Sequence, residues 1–188
     1  MQQENTLVGK KVAILIANGF EQSHMTSLHK CLVDSGAEVK IVSPEKGVVN
    51  SWHNGTWGHF FPSNAFLPTS MSFHFDAVIV PGGERHVNRL CSDPQTARFM
   101  RGFMEDNKPV ALFEEAVKVI AVDDLLDTRT VAAAEAVAEN VTASNGIVKD
   151  EPVIVDDMLV TATGEIDPLV ERFMDNIREY EPEAWEAA

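Results

Sequence analysis

The segment KVAILIA at residues 11–17, apolar after its first residue, constrains the fold of this 188-residue chain most strongly. An apolar run without alternation fits a strand that is buried on both faces of a parallel sheet. Comparable segments stand at residues 38–43, 75–80 and 109–113. We therefore predict four strands of a buried parallel sheet.

Helical patterns alternate with these strands. Apolar residues recur at helical spacing from Met25 to Leu32, with Ser23 as the expected N-cap and Gly36 as the expected end of the helix. Residues 44–72 are predicted to contain small strands or functional loop structure. Further helices are predicted over 95–107, 114–121 and from 167 onward, a weak strand over 130–133 and a hairpin over 153–161. Strands alternating with helices indicate an α/β three-layer sandwich with a mostly parallel sheet.

The composition of the chain disfavours some partners and indicates a cellular compartment. The chain has 15 Lys+Arg against 29 Asp+Glu, a net charge of −14, which disfavours nucleic acid and anionic membranes as partners. We expect one domain over 1–188, with a core at about 10–180, a short N-terminal arm and an acidic C-terminal tail. The two cysteines form no disulfide framework, and residues 1–5 lack the positive charge of a signal peptide. These features predict a cytoplasmic protein.

Functional sites in open α/β sheets form beyond the carboxyl ends of the strands. Three such ends carry polar or glycine residues, at 18–21, 81–84 and 113–115. The last is a direct strand-to-helix transition, which is typical of a nucleophile elbow. The backbone N–H groups of Gly82 and Gly83 at the second could face an oxyanion.

These motifs, taken together, resemble one family. They are NGFE at 18–21, GAEV at 36–39, IVSP at 41–44, WHNGTWG at 52–58, DAVIVPGG at 76–83 and KPVA at 108–111. They are similar to the PfpI-type intracellular protease/amidase branch of the ThiJ/PfpI superfamily, over roughly residues 10–180. The resemblance implies a flavodoxin-like, class I glutamine amidotransferase-like fold, no cofactor, and assembly into homo-oligomers.

The resemblance fails at the family's reactive centre. Members place a cysteine, a histidine and a glycine on the elbow, where this chain has Glu114, Glu115 and Ala116. Members also present an acid from the first helix, where this chain has His24. A carboxylate is a far weaker nucleophile than a thiolate, so cysteine-dependent hydrolase, deglycase and glyoxalase chemistry is expected to be absent. We hypothesise that Glu114 and His24 form a hydrogen-bonded pair instead.

Three interpretations of the function remain open. The first is a catalytically degenerate protein, stress-associated or binding a small molecule without turnover. The second is a hydrolase or lyase on a small carbonyl or amide compound, with Glu114 as acid/base and the backbone N–H groups of Gly83 and Glu115 at the oxyanion. The third is an oligomeric interaction module that uses the tryptophan-rich segment.

Simpler roles compete with these. Glu114 and Glu115 could be ordinary first-turn acids that stabilise a helix start, and His24 could be a capping or surface residue. No close metal-ligand spacing occurs, so no metal is expected. Cys91, just before a predicted helix, is the candidate for a redox role.

Overall fold

The computed structural model describes residues 6–182, in which strands and helices alternate. The predictions for residues 1–5 and for the end of the acidic tail, 183–188, lie outside the described residues. The strands are β1 (Lys11–Leu15), β2 (Phe20–Glu21), β3 (Glu38–Ser43), β4 (Val48–His53), β5 (Thr56–Pro62), β6 (Ala65–Phe66), β7 (Ala77–Val80), β8 (Val110–Phe113), β9 (Thr130–Val131), β10 (Ile147–Val148), β11 (Val153–Asp156) and β12 (Leu159–Ala162). The helices are α1 (Gln22–Asp34), α2 (Glu84–Cys91), α3 (Pro94–Glu105), α4 (Lys118–Ala121), α5 (Ala138–Ala143) and α6 (Asp167–Glu179).

A seven-stranded sheet organises the molecule, with the strand order β11-β12-β8-β7-β1-β3-β6. Every neighbouring pair is parallel except β11 with β12, which form the predicted hairpin. Strands β7, β8 and β12 are buried throughout, as their continuous apolar runs predict. The architecture is the predicted flavodoxin-like α/β fold.

Helices cover both faces of this sheet, and each face has its own core. On one face α1 and α6 pack Leu28 and Phe173 against β1 and β7, and on the other face α3 contributes Phe99 and Phe103. Because the parallel strands end at a common edge, the segments after β1, β7 and β8 meet there. None of the helices within residues 6–182 has the length and apolar character needed to cross a membrane.

Several local predictions need correction. Helix α1 begins at Gln22, and its N-cap is Glu21 rather than Ser23, because the Glu21 side chain accepts from the Ser23 backbone N–H. Gly36 follows the end of α1 at φ +85°, as predicted for a helix-terminating glycine. The predicted helix 114–121 is a 3₁₀ turn followed by the single turn of α4. The weak strand over 130–133 shortens to β9, which pairs with β10 in a separate small sheet.

Several elements, among them α2, β4 and β5, were not predicted individually. Helix α2 was missed because only His86, Val87 and Leu90 of its eight residues are buried, too few to make an apolar pattern. Strands β4 and β5 form an antiparallel hairpin in the segment where small strands were expected. The hairpin joins β2 in a three-stranded sheet, which places it beside the N-terminus of α1.

Candidate functional site

The turn after β8 has the geometry of an elbow. Glu114, its first residue, has φ +55°, in the left-handed region that side chains other than glycine rarely adopt. Strand β8 ends at Phe113 and the 3₁₀ turn starts at once, so no linker relaxes the backbone. A non-glycine residue in this conformation costs about 1 kcal/mol. The predicted elbow is therefore present, and it carries a partly buried glutamate.

The Glu114 carboxylate is bound to the neighbouring turn. Its Oε1 accepts a hydrogen bond from the backbone N–H of Gly164 at 2.7 Å. The sheet register sets this contact, because Ala162 at the end of β12 lies opposite Phe113 at the end of β8. A carboxylate that accepts from a backbone N–H makes a charge-assisted bond, which holds the side chain along the sheet edge.

The Glu115 carboxylate binds the segment after β7. Its Oε2 accepts a hydrogen bond from the backbone N–H of Gly83 at 3.2 Å. Gly83 has φ +126°, and a Cβ there would lie 2.9 Å from the Glu21 nitrogen, so only glycine fits. This N–H is the one expected to face an oxyanion, and an oxyanion reaches it only if Glu115 moves away.

His24 lies over the glycine pair rather than on the surface. Its ring contacts Phe113 edge to face, with centroids 4.6 Å apart. A Cβ on Gly82 would lie only 3.0 Å from the ring nitrogen Nδ1, so Gly82 leaves room for the imidazole. This nitrogen is buried and has no hydrogen-bond partner. His24 is thus a partly buried ring held by packing.

The hypothesised hydrogen bond between Glu114 and His24 is wrong: within residues 6–182, none joins these two side chains. The carboxylate reaches Gly164 instead. The two groups still interact through charge. Burial lowers the pKa of His24, while the negative charges of Glu21, Glu114 and Glu115 raise it, and the net direction is downward. His24 is therefore a neutral imidazole at neutral pH.

Glu21 is the acid that sequence reasoning overlooked. It follows β1 and caps α1, and its Oε1 contacts Ser23 Oγ at 3.0 Å and His53 Nδ1 at 3.2 Å. Burial raises the pKa of Glu21, but the hydrogen bonds from His53 and Ser23 and the charge of His24 outweigh it, so the net pKa is lowered. The available signal was its place in the strand-end motif at 18–21.

A second imidazole lies beneath the glycine pair. His86 on α2 is fully buried, and its Nε2 bonds to the carbonyl oxygen of Pro81 at 2.7 Å. Burial lowers the pKa of His86 to about 4, so the ring is neutral. Its Nδ1 has no partner. Within the described part of the chain, no group of three or more His, Cys, Asp or Glu side chains could hold a metal ion.

The main clefts lie elsewhere. Three clefts have volumes of about 790, 650 and 390 Å³, and neither Glu114 nor His24 lines any of them. The largest is at the amino-terminal ends of β1 and β3, at the opposite edge of the sheet. The residues that the sequence predicts to meet at the elbow lie together: Glu114, Glu115, Gly82, Gly83 and His24. None of the three clefts opens at this site.

The chain is similar in sequence to known proteins over most of its length. Residues 10–178 match the model of the DJ-1/PfpI family. The chain is 28% identical over 156 residues to "General stress protein 18" of Bacillus subtilis, which covers 82% of this chain and 89% of that protein. It is 25% identical over 155 residues to "Putative cysteine protease YraA" of the same species, with the same coverage of both chains.

A solved structure confirms the fold. A two-domain protein of Anabaena variabilis with DJ-1/ThiJ/PfpI-like and ferritin-like domains superposes with a TM-score of 0.80 and 24% identity. The match covers 90% of this chain and 47% of that protein. Because the family model matches residues 10–178, nearly the whole chain, the chain belongs to the DJ-1/PfpI family.

Proposed function

We propose that this chain is a stress-associated DJ-1/PfpI protein in which Glu114 stands in place of the family's reactive cysteine and cysteine-dependent activity is lost. The observation that carries the proposal is the engagement of both elbow carboxylates. Glu114 is bound to the Gly164 N–H and Glu115 to the Gly83 N–H. The groups that would act on a substrate are thus already used within the protein.

Elementary chemistry supports the loss of activity. Acyl transfer at an elbow needs a strong nucleophile, a base near neutral pKa and free N–H donors for the oxyanion. Glu114 is a weak nucleophile toward carbonyl carbon, and Glu115 takes the Gly83 donor. Either deficiency alone, the weak nucleophile or the occupied oxyanion donor, would lower the reaction rate by several orders of magnitude.

The stress association is supported by similarity to "General stress protein 18", which extends over 82% of this chain. We propose that the chain works in the cytoplasm as a homo-oligomer without a cofactor. We also propose that any small molecule bound at the elbow is bound without turnover. The acidic composition, with a net charge of −14, is consistent with the absence of nucleic-acid and membrane partners.

Turnover of a small α-oxoaldehyde and of a fluorogenic peptide amide by the intact protein tests this proposal. We expect the native protein and Glu114→Gln to match the buffer rate. A Glu114→Cys variant, which restores a thiol on the elbow, should react with iodoacetamide faster than the native protein, and this shows that the site is folded and accessible. Native turnover that is abolished in Glu114→Gln would overturn the proposal.

An enzyme acting through Glu114 is the second candidate. It is favoured by the buried, neutral His24 ring with an unpartnered nitrogen beside the elbow carboxylates. A neutral imidazole can accept a proton, as a hydrolase or lyase would require. The similarity to a protein named as a cysteine protease points to the same reaction class. The turnover assay separates this candidate from the first one.

An oligomeric interaction module is the third candidate, favoured by the β4–β5 hairpin. Trp57 and Phe60 on β5 are 51% and 67% exposed. The contacts that hold the hairpin in place include Glu21 with His53, Gln22 with Ser51, and the Arg85 guanidinium over the Trp52 ring at 4.0 Å. A fixed strand that presents exposed aromatic rings is typical of an interface.

Light scattering on the native protein and on a Trp57→Ser/Phe60→Ser variant tests this module. We expect the native protein to be a homo-oligomer and the variant to shift toward the monomer. Both residues are exposed, so their loss leaves the core intact. An unchanged mass would mean that the hairpin is not the contact surface.

A further inference from the structure

A large cleft lies far from the elbow. Its volume of about 790 Å³ opens where β1 and β3 begin, and the chain from Asn64 to Asp76 forms its wall. Small-molecule sites in proteins commonly measure about 300–1,000 Å³. The elbow lies at the carboxyl ends of the strands, so the two places are at opposite edges of the sheet.

Aromatic rings, among them those of Phe66 and Phe73, line this cleft. Phe73 is 68% exposed, and its only aromatic contact within the described chain is with the adjacent His74, at 4.3 Å. Phe66 is partly buried, and Lys46 lies over its ring at 4.6 Å. A phenylalanine this exposed keeps a large apolar area in contact with water, which is unfavourable. An apolar ring placed against Phe73 would remove part of that area from water.

Two lysines, Lys11 and Lys40, also line the cleft. Lys40 pairs in register with Ala13, two residues after Lys11, so both lysines are on the same face of the sheet. The nearby acids are already engaged: Glu38 is 3.7 Å from Lys40, and Asp76 accepts from the Lys11 backbone N–H at 2.7 Å. Within residues 6–182, the Lys11 ammonium has no hydrogen bond or ion pair. It is a cation available to a ligand in a chain of net charge −14.

We propose that this cleft binds a small planar aromatic anion, with its ring against Phe73 and Phe66 and its anionic group at Lys11. The exposed ring supplies the stacking surface, and the unpaired ammonium supplies the charge. The site shares no residue with the elbow. The result of a binding test at this cleft therefore does not affect the function proposed for the elbow.

Fluorescence titration with 1-anilinonaphthalene-8-sulfonate, an aromatic anion that brightens on binding, tests the site in the intact protein. We expect saturable binding of one molecule per chain that weakens as salt increases. Phe73→Ala should weaken binding about tenfold, and Lys11→Gln about fivefold. Both side chains are exposed, so the fold should be retained.

Two control variants test whether the probe binds to other surfaces of the protein. Trp57→Ala removes the exposed aromatic ring of the hairpin, and Lys30→Gln removes an exposed lysine of α1 that is paired with Asp34. Neither should change the affinity. Absence of saturable binding, or weakening by Trp57→Ala with Phe73→Ala unchanged, would overturn the site. Equal binding of N-phenyl-1-naphthylamine, which lacks the sulfonate, would overturn the proposed requirement for an anion.

Discussion

Glu115 accepts a hydrogen bond from the backbone N–H of Gly83 across 32 positions of sequence, at 3.2 Å. Its neighbour Glu114 accepts one from Gly164 across 50 positions. Two adjacent carboxylates thus join the turn after β8 to the segments after β7 and β12. The elbow side chains thus hold the sheet edge together.

Replacing Glu114 by alanine and by glycine should reveal the backbone strain. Both variants lose the bond to Gly164, but only glycine relieves the φ of +55°. We expect Glu114→Gly to be more stable than Glu114→Ala by about 1 kcal/mol in urea unfolding. At ordinary strand and helix positions alanine is the more stable of the two, so a more stable Glu114→Ala would contradict the left-handed backbone.

His86 should make stability depend on pH. Its pKa falls from 6.5 to about 4 because the ring is buried, so between these values the unfolded chain binds a proton that the folded chain does not. Stability is therefore complete above about pH 6.5 and is lost as the pH falls toward 4, by about 3 kcal/mol from this group. His24, whose pKa is also lowered, contributes in the same direction.

Urea unfolding at neutral pH and at about pH 4.5 measures this loss. Glu21, with a lowered pKa, adds a loss at still lower pH, outside this window. His86→Gln, whose amide can still donate to Pro81, should lose less stability on acidification than the native protein. An equal loss in both proteins would show that His86 is not responsible.

Cys91 should be unreactive in the folded protein. Burial raises its pKa from 9.0 to about 11, although Lys118 acts in the opposite direction. This rise in the pKa lowers the fraction of Cys91 present as thiolate about 100-fold, and the thiolate is the species that reacts. In a Cys31→Ser background, alkylation by iodoacetamide at neutral pH should be about 100-fold slower in the native state than in concentrated urea. Rapid native-state alkylation would restore the redox role considered for Cys91.

The buried parallel strands and the elbow could be predicted because both follow from local patterns. Continuous apolar runs mark buried parallel strands, and the direct passage from β8 into a turn marks the sharp bend at Glu114. Helix α2 escaped prediction because four of its eight residues are polar or charged and exposed. Its position is set by packing against other elements, among them α3 and α4.

The side-chain contacts of the site could not be predicted in the same way. Nothing local to Glu114 indicates that Gly164 donates to it, because the register of β8 with β12 creates that contact. The hypothesised bond between Glu114 and His24 does not form, because the ring packs on Phe113 and the carboxylate reaches Gly164. Sequence spacing identified which residues meet, and packing decided which of them bond.

The amide resonances of Gly83 and Gly164 test the central claim most directly. In ¹H–¹⁵N spectra at neutral pH, Glu115→Gln should shift the Gly83 amide and leave Gly164 in place, because a charge-assisted bond becomes a neutral one. Glu114→Gln should shift Gly164 and leave Gly83 in place. The account predicts this crossed pattern. If neither amide responds to its own partner, the carboxylates do not occupy these donors, and the elbow is free to act on a substrate.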